Sequence, residues 1–207
     1  MSALKMTAVI LAGGNSSRMG QNKLFLPLGD KPIVAHLISL LQSIFTQIVV
    51  VTDQPALYHP FHIEVKEDVF VCTEKNSLTG IHAGLIHAAY EYTFVVAGDM
   101  PFLKQQVVKY LCSQREGYDV VVPVEGKHYQ PLCAVYHKNC LPFIEGQLKE
   151  KRFRIVDFFA DVRVRTVDKS ELFPCDPDSF SFFNINTPQD YQLALRMAKR
   201  IRWEEQN

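Results

Sequence analysis

Short runs of apolar, mostly β-branched residues recur along the chain, and segments with a helical apolar stripe separate them. Residues 7–11, 48–52, 93–97 and 119–123 are such runs, with a shorter one near 62–66. A strand apolar on both sides must be covered on both faces, which is the situation of strands in a parallel sheet packed between helices. Between the first two runs, residues 32–45 place Ile33, Val34, Leu37, Ile38, Leu41 and Ile44 at helical spacing, with Pro32 in the first turn. Residues 78–89 and 107–112 read as further helices. The alternation predicts a three-layer α/β/α sandwich around a mostly parallel sheet. Beyond Pro123 it loosens: 132–136 and 162–167 read as strands, 141–149 and 155–159 as helices. Residues 180–184 lead into Asn186-Thr187-Pro188, which opens a final helix over 189–202 with Thr187 as N-cap and Pro188 at N1. No repeat, low-complexity tract or Pro/Gly/Ser linker divides residues 1–207, so a single domain is expected.

The loop after the first strand, Leu11-Ala-Gly-Gly-Asn-Ser-Ser-Arg-Met-Gly-Gln-Asn-Lys23, packs two adjacent glycines, two hydroxyls, an arginine and a lysine together. A strand running into a glycine-rich basic loop presents backbone N–H groups to phosphate. It is not a Walker A loop, because Gly20 is followed by Gln21-Asn22-Lys23. Nor do Gly13, Gly14 and Gly20 make the G-x-G-x-x-G dinucleotide pattern. A plain surface turn would leave Arg18 and Lys23 unexplained. Lys+Arg and Asp+Glu both total 22, so no global field points to nucleic acid or a membrane, and anion binding has to be local. Asp99 closes the buried run 93–97, after Gly98 and before Pro101. Ligands of open α/β sheets collect beyond the carboxyl ends of strands, where both the loop and Asp99 fall. A carboxylate there can hold Mg²⁺, which takes oxygen ligands and keeps waters and substrate phosphates; the plainer reading is a cap on the following helix. Five scattered cysteines without C-x-x-C spacing suit reduced thiols. The first residues lack the apolar core of a signal peptide, so a cytoplasmic enzyme is expected.

L-A-G-G-x-S-x-R-M-G-x-x-K resembles the signature of nucleotidyltransferases with the sugar-nucleotide pyrophosphorylase fold, and within them the molybdenum cofactor guanylyltransferase family. Five further motifs follow in that family's order. They are Glu67-Asp68, Leu78-Thr79-Gly80-Ile81 with Gly84-Leu85, Gly98-Asp99-Met100-Pro101, and Gln130-Pro131-Leu132 with Asn184-Ile185-Asn186-Thr187-Pro188 completing the series. The resemblance implies a Rossmann-like nucleotidyltransferase that moves GMP from GTP to the terminal phosphate of molybdopterin with Mg²⁺. It assigns Lys23 to the α/β-phosphates, Arg18 to the β/γ-phosphates, Asp99 to Mg²⁺ and nucleotide, and Asp68 to the nucleotide. Leu11, Ala12 and Gly13 would offer main-chain groups to base and ribose, and Asn186 would stand near metal or acceptor. It also implies transient contact with other cofactor-biosynthesis proteins or recipient molybdoenzymes.

Departures bear on the base. Asn76-Ser77 replaces the family's Gly-Pro, Thr79 its alanine and Gly98 its cysteine. Gly-Asp-Met-Pro is shared with cytidylyltransferases of the same cofactor, whereas Gly13-Gly14 and Asn-Ile-Asn-Thr-Pro favour guanylyl transfer. CTP use, a sugar-nucleotide pyrophosphorylase and a non-catalytic nucleotide binder are the alternatives. His82 and His87 lie five apart and do not share a helix face, so they read as core or surface histidines. Lys149, Lys151, Arg152 and Arg154 form a solvated helix end or meet an anionic acceptor. His128-Tyr129-Gln130 borders an acceptor cleft in the functional reading. Lys199, Arg200 and Arg202 suit the negative end of the last helix dipole.

Overall fold

The computed structural model describes residues 3–13, 22–70 and 76–206, the last five through their backbone alone. In chain order the main elements are β1 (Leu4–Leu11), α1 (Ile33–Gln42), β2 (Phe45–Val51), β3 (Glu64–Lys66), α2 (Ser77–His87), β4 (Tyr92–Ala97) and α3 (Gln105–Ser113). There follow β5 (Val120–Glu125), β6 (Cys133–His137), α4 (Leu141–Lys149), β7 (Val164–Asp168), α5 (Lys169–Leu172) and α6 (Pro188–Gln206). Among the described residues the strands form one sheet in the order β7-β5-β6-β4-β1-β2-β3, with the two-residue strand His128–Tyr129 paired to β5. β6 runs antiparallel to both its neighbours; the other long pairings are parallel.

Side-chain alternation along the strands builds the two flanking layers. Met6, Ala8 and Ile10 of β1 pack with Val34, Leu37, Ile38 and Leu41 of α1 and with Val107, Val108 and Leu111 of α3. Val9 points the other way, with Val49, Val95 and Ala134, into Leu78, Ile81 and Leu85 of α2 and Ile144 and Leu148 of α4. Helices thus cover both faces, as the apolar runs require. Two glycines let α2 lie close against β1. A Cβ on Gly84 would stand 2.6 Å from Val9 Cγ1, and one on Gly80 would stand 3.1 Å from Leu11 Cδ2.

The helical stripe over 32–45 overreaches. Pro32 is extended and pairs in a small hairpin with Pro27, so the helix begins at Ile33. It stops at Gln42, where the Ser43 hydroxyl donates to the Leu40 carbonyl at 2.6 Å. Phe45 opens β2 and stacks on Phe94 with ring centroids 5.8 Å apart. Residues 155–159 belong to a tighter 3₁₀ segment, Ile155–Asp161, and 180–184 contain the short 3₁₀ turn Phe180–Phe182. The last helix starts at Pro188 as expected. Thr187 Oγ1 accepts from the Asp190 N–H at 3.1 Å, and Asp190 Oδ2 accepts from the Thr187 N–H at 2.8 Å, a reciprocal capping box. Tyr191 then ties α6 to the hairpin by donating to the Pro27 carbonyl at 2.6 Å. No helix among the described residues is long and apolar enough to cross a membrane.

The amino ends of β5 and β7 are joined by a buried carboxylate. Asp119 accepts from the Arg163 N–H, Nε and Nη2 and from Asn139 Nδ2, all at 2.9–3.1 Å. Hydrogen bonds from the Arg163 side chain, chiefly, hold its carboxyl well below the usual carboxylate range. A carboxyl acidified by folding stabilises the protein above its unfolded pKa, and that contribution is lost as pH falls through the folded value. Asp119→Ala is therefore expected to lower Tm by about 5 °C at pH 7. Thermal melts followed by circular dichroism should show this deficit narrowing in acid.

Candidate active site at the carboxyl edge

Four parallel strands, β4, β1, β2 and β3, finish level, and the residue after each of the first three bonds to the end of its neighbour. The Gly98 N–H donates to the Leu11 carbonyl at 3.0 Å, Ala12 to Val51 at 2.9 Å, and Thr52 to Lys66 at 2.9 Å. This edge carries Ala12 and Gly13 from β1 and Gly98 and Asp99 from β4. Gly98 is tightly placed, since a Cβ there would come within 3.0 Å of Leu24 Cδ1 and 3.3 Å of the Leu11 carbonyl oxygen. Its replacement of the family's cysteine is accordingly matched by local packing against Leu24.

Lys23 opens a 3₁₀ turn, Lys23–Phe25, which Asn22 caps by accepting from the Leu24 N–H at 3.1 Å. Its ammonium donates to Asp99 Oδ2 at 2.6 Å and to Asn186 Oδ1 at 3.0 Å. Asn186 is held in place from both sides. The neighbouring Ile185 N–H donates to the Asp99 carbonyl at 3.1 Å. Its own N–H donates to Asp190 Oδ2 at 3.0 Å. That bond, with those from Thr187 and the nearby Lys23 charge, lowers the Asp190 carboxyl below its ordinary value.

Asp99 is mostly buried, and its Oδ1 makes no hydrogen bond. A buried carboxylate oxygen without water or donor is costly. It does not cap the next helix, whose N-cap is Lys104 without a side-chain bond. The open oxygen fits a hard divalent cation. Among the described residues no group of three His, Cys, Asp or Glu could hold a metal. A cation here would therefore rest on one carboxylate, supplemented by water and phosphate, which is how Mg²⁺ is commonly bound.

The nucleotide-side candidates occupy the same edge. Leu11 and Ala12 spend the carbonyl and the N–H just described on the sheet, and the Ala12 carbonyl accepts from Thr52 Oγ1 at 3.3 Å. Gly13 is exposed, with open space where a side chain would stand. Asp68 follows β3, and Thr79 Oγ1 lies 3.3 Å from its Oδ2 and 2.8 Å from the Asn76 carbonyl. Asn76 caps α2, its side chain accepting from the Thr79 N–H at 3.0 Å. The two departures at 76 and 79 thus act as a helix start that reaches Asp68. Arg18 lies outside the described residues, as does the rest of 14–21.

The other candidates are not drawn into this cluster. His82 is buried, with Nε2 3.4 Å from Glu145 Oε1 and its ring edge-on to Phe70. Burial lowers the pKa of His87, at the end of the same helix. Arg152 pairs with Glu150 at 2.8 Å. Sequence reasoning passed over Asp190, although Thr187-Pro-Gln-Asp190 has the capping-box spacing that would have found it.

Residues 8–163 match the MobA-like NTP transferase domain. A probable molybdenum cofactor guanylyltransferase from Pelotomaculum thermopropionicum is 38% identical over 199 residues, 96% of each chain. The molybdenum cofactor guanylyltransferase of Desulfosudis oleivorans is 39% identical over 196 residues, covering 94% of this chain and 96% of its own. The crystal structure of molybdopterin-guanine dinucleotide biosynthesis protein A from Archaeoglobus fulgidus superposes with a TM-score of 0.83 at 26% identity, across 94% of this chain and 100% of that one. With its strand-end loop, its Asp99 carboxylate and these relatives, the chain belongs to the MobA-like NTP transferase family.

Proposed function

We propose that the protein transfers GMP from GTP to the terminal phosphate of molybdopterin, releasing pyrophosphate and forming the guanine dinucleotide cofactor. The observation that carries this reading is the meeting of Lys23, Asp99 and Asn186 at the sheet edge, with one buried carboxylate oxygen left open. Asp99 would hold Mg²⁺ through that oxygen, with Asn186 beside it. When bound, the cation supplies charge neutralisation on the α-phosphate and on the departing pyrophosphate.

The chain's own groups do the positioning. Lys23 exchanges its two oxygen partners for the α/β-phosphates, an exchange between like ligands in a site that stays part-buried. Arg18 takes the β/γ-phosphates. Gly13, with Leu11 and Ala12 fixing its place, receives base and ribose, and Asp68 binds the nucleotide from the far side. The acceptor phosphate oxygen attacks the α-phosphorus in line, so no protein nucleophile is needed, and rate comes from alignment and fixed charge. Residues 1–207 work as one domain, in the cytoplasm, where scattered thiols stay reduced.

GTP is favoured over CTP by Gly13-Gly14 and by the Asn184-Ile185-Asn186-Thr187-Pro188 motif, and by relatives that are guanylyltransferases. With Mg²⁺ and ligand at 100 times Kd, GTP should raise Tm by about 5–10 °C, and CTP at the same concentration by much less. A larger shift with CTP would move the reading to cytidylyl transfer.

A further inference from the structure

We infer that Lys104, Asp176 and Ser181 are positioning residues, which set the register between the segment carrying Asp99 and the segment carrying Asn186. The inference rests on the transfer reading above. The two segments, 99–104 and 181–185, run in opposite directions and meet at three levels. The Ile185 N–H donates to the Asp99 carbonyl at 3.1 Å. Next, the rings of Phe102 and Phe183 lie with centroids 6.0 Å apart. Last, the Lys104 N–H donates to the hydroxyl of Ser181 at 3.1 Å, and Ser181 is fully buried. The segments close on each other like a short zipper.

Its far end is locked by charge. Asp176 is buried, and its Oδ2 accepts from the Ser181 N–H at 2.7 Å. Lys104 Nζ stands 3.0 Å from Asp176 Oδ1, an ion pair without hydrogen-bond alignment. A buried carboxylate needs such a counter-charge. The chain reaches this arrangement by curling round the ammonium. The Ser179 N–H donates to the Asp176 carbonyl at 3.0 Å, Ser179 takes φ 57°, and the Phe180 ring centroid lies 5.9 Å from Lys104 Nζ. Lys104 is in turn the N-cap of α3, whose Val107, Val108 and Leu111 are fixed in the core. The lock therefore refers Asn186 to the body of the sheet.

The contacts at Asn186 itself do not fix its distance from the Asp99 carboxylate during the reaction. Asp190 ties Asn186 to α6. At rest the Lys23 ammonium bridges Asp99 and Asn186, but in the transfer it turns to the phosphates. What then remains between the two segments at this end is the bond from Ile185, and one hydrogen bond is a pivot. The second attachment at Lys104 and Ser181 removes the swing. Misplacement by about 1 Å costs on the order of 100-fold in rate, so the lock matters to turnover without touching substrate.

Ser181→Ala deletes the hydroxyl contact, and Asp176→Asn keeps an acceptor for Ser181 while withdrawing the charge from Lys104. In protein shown to be folded by circular dichroism, each is expected to lower kcat at least tenfold. KM for GTP should stay within twofold, since Gly13 and Asp68 lie outside the zipper. Lys104→Arg should retain at least half of wild-type kcat, and Lys104→Met should behave as Asp176→Asn. Amide hydrogen exchange of the ligand-free protein reads the register without any reaction. The Ile185 amide should exchange at least tenfold faster in Ser181→Ala and Asp176→Asn, while the Gly98 amide, bonded to Leu11, stays within twofold. Wild-type kcat in both variants, a matching rise in KM for GTP, or Lys104→Met as active as Lys104→Arg would overturn the inference. So would unchanged exchange at Ile185, or equal acceleration at Gly98. If wild-type protein forms no guanine dinucleotide, the transfer reading falls and the part in turnover with it, whereas the Ile185 result still decides the register.

Discussion

Asp99→Asn is expected to lower kcat about 1,000-fold while the protein still folds. Asparagine keeps the shape of the side chain and can still accept from Lys23, but it withdraws the charge that a cation needs and turns one oxygen into a donor. The side chain sits at the edge of the sheet, 13% exposed, and carries no helix cap, so the fold should tolerate the change. Metal binding separates this account from simple disruption. In wild-type protein the Lys23 ammonium already covers Asp99 Oδ2, so Mn²⁺ added without nucleotide should bind weakly by electron paramagnetic resonance. Lys23→Ala should bind Mn²⁺ alone more tightly while losing transfer, and Asp99→Asn should bind it less tightly than wild type. Near-normal turnover in Asp99→Asn would remove the residue from the reaction.

Gly84→Ala should be the most destabilising single-methyl change near the site. Alanine in a helix interior normally gains up to about 1 kcal/mol over glycine. Here the new methyl would stand 2.6 Å and 3.0 Å from the two methyls of Val9, itself fully buried between α2 and the sheet. Overpacking of this kind costs about 1–3 kcal/mol, so a net loss of up to about 2 kcal/mol and a fall in Tm of up to about 8 °C follow. Because the three nearest atoms all belong to Val9, Val9→Ala in the same chain should recover part of the loss, a coupling that a double-mutant cycle reads directly. Pushing α2 off β1 also shifts Thr79 from Asp68 and Gly80 from Leu11, so KM for GTP should rise. A Gly84→Ala protein as stable as wild type would show that the helix can move freely.

The layers were legible because strands buried on both faces leave continuous apolar runs, and because Thr187-Pro188 marks a helix start. The end of α1 was not. Ile44 and Phe45 continue the helical stripe, and only the Ser43 turn and the stacking of Phe45 on Phe94 divert them into β2. The antiparallel direction of β6 was hidden as well, since a run such as Cys133–His137 looks alike in either orientation. Asp99 could be singled out from its place at the end of a buried run. Its contacts with Lys23 and Asn186 could not, because those residues are brought together across 76 and 163 positions by the sheet and the α6 cap. Asn76 and Thr79 looked like losses of a family motif, yet they form a local cap whose hydrogen bonds appear only in three dimensions.

The central claim is most directly tested by identifying the product. Protein, Mg²⁺ and molybdopterin would be incubated with equal concentrations of GTP and CTP, and nucleotides, pyrophosphate and pterin products resolved by chromatography and mass spectrometry. Guanylyl transfer predicts consumption of GTP, one pyrophosphate per dinucleotide formed, and a guanine-bearing product. A cytosine-bearing product, or GTP bound without release of pyrophosphate, would contradict it.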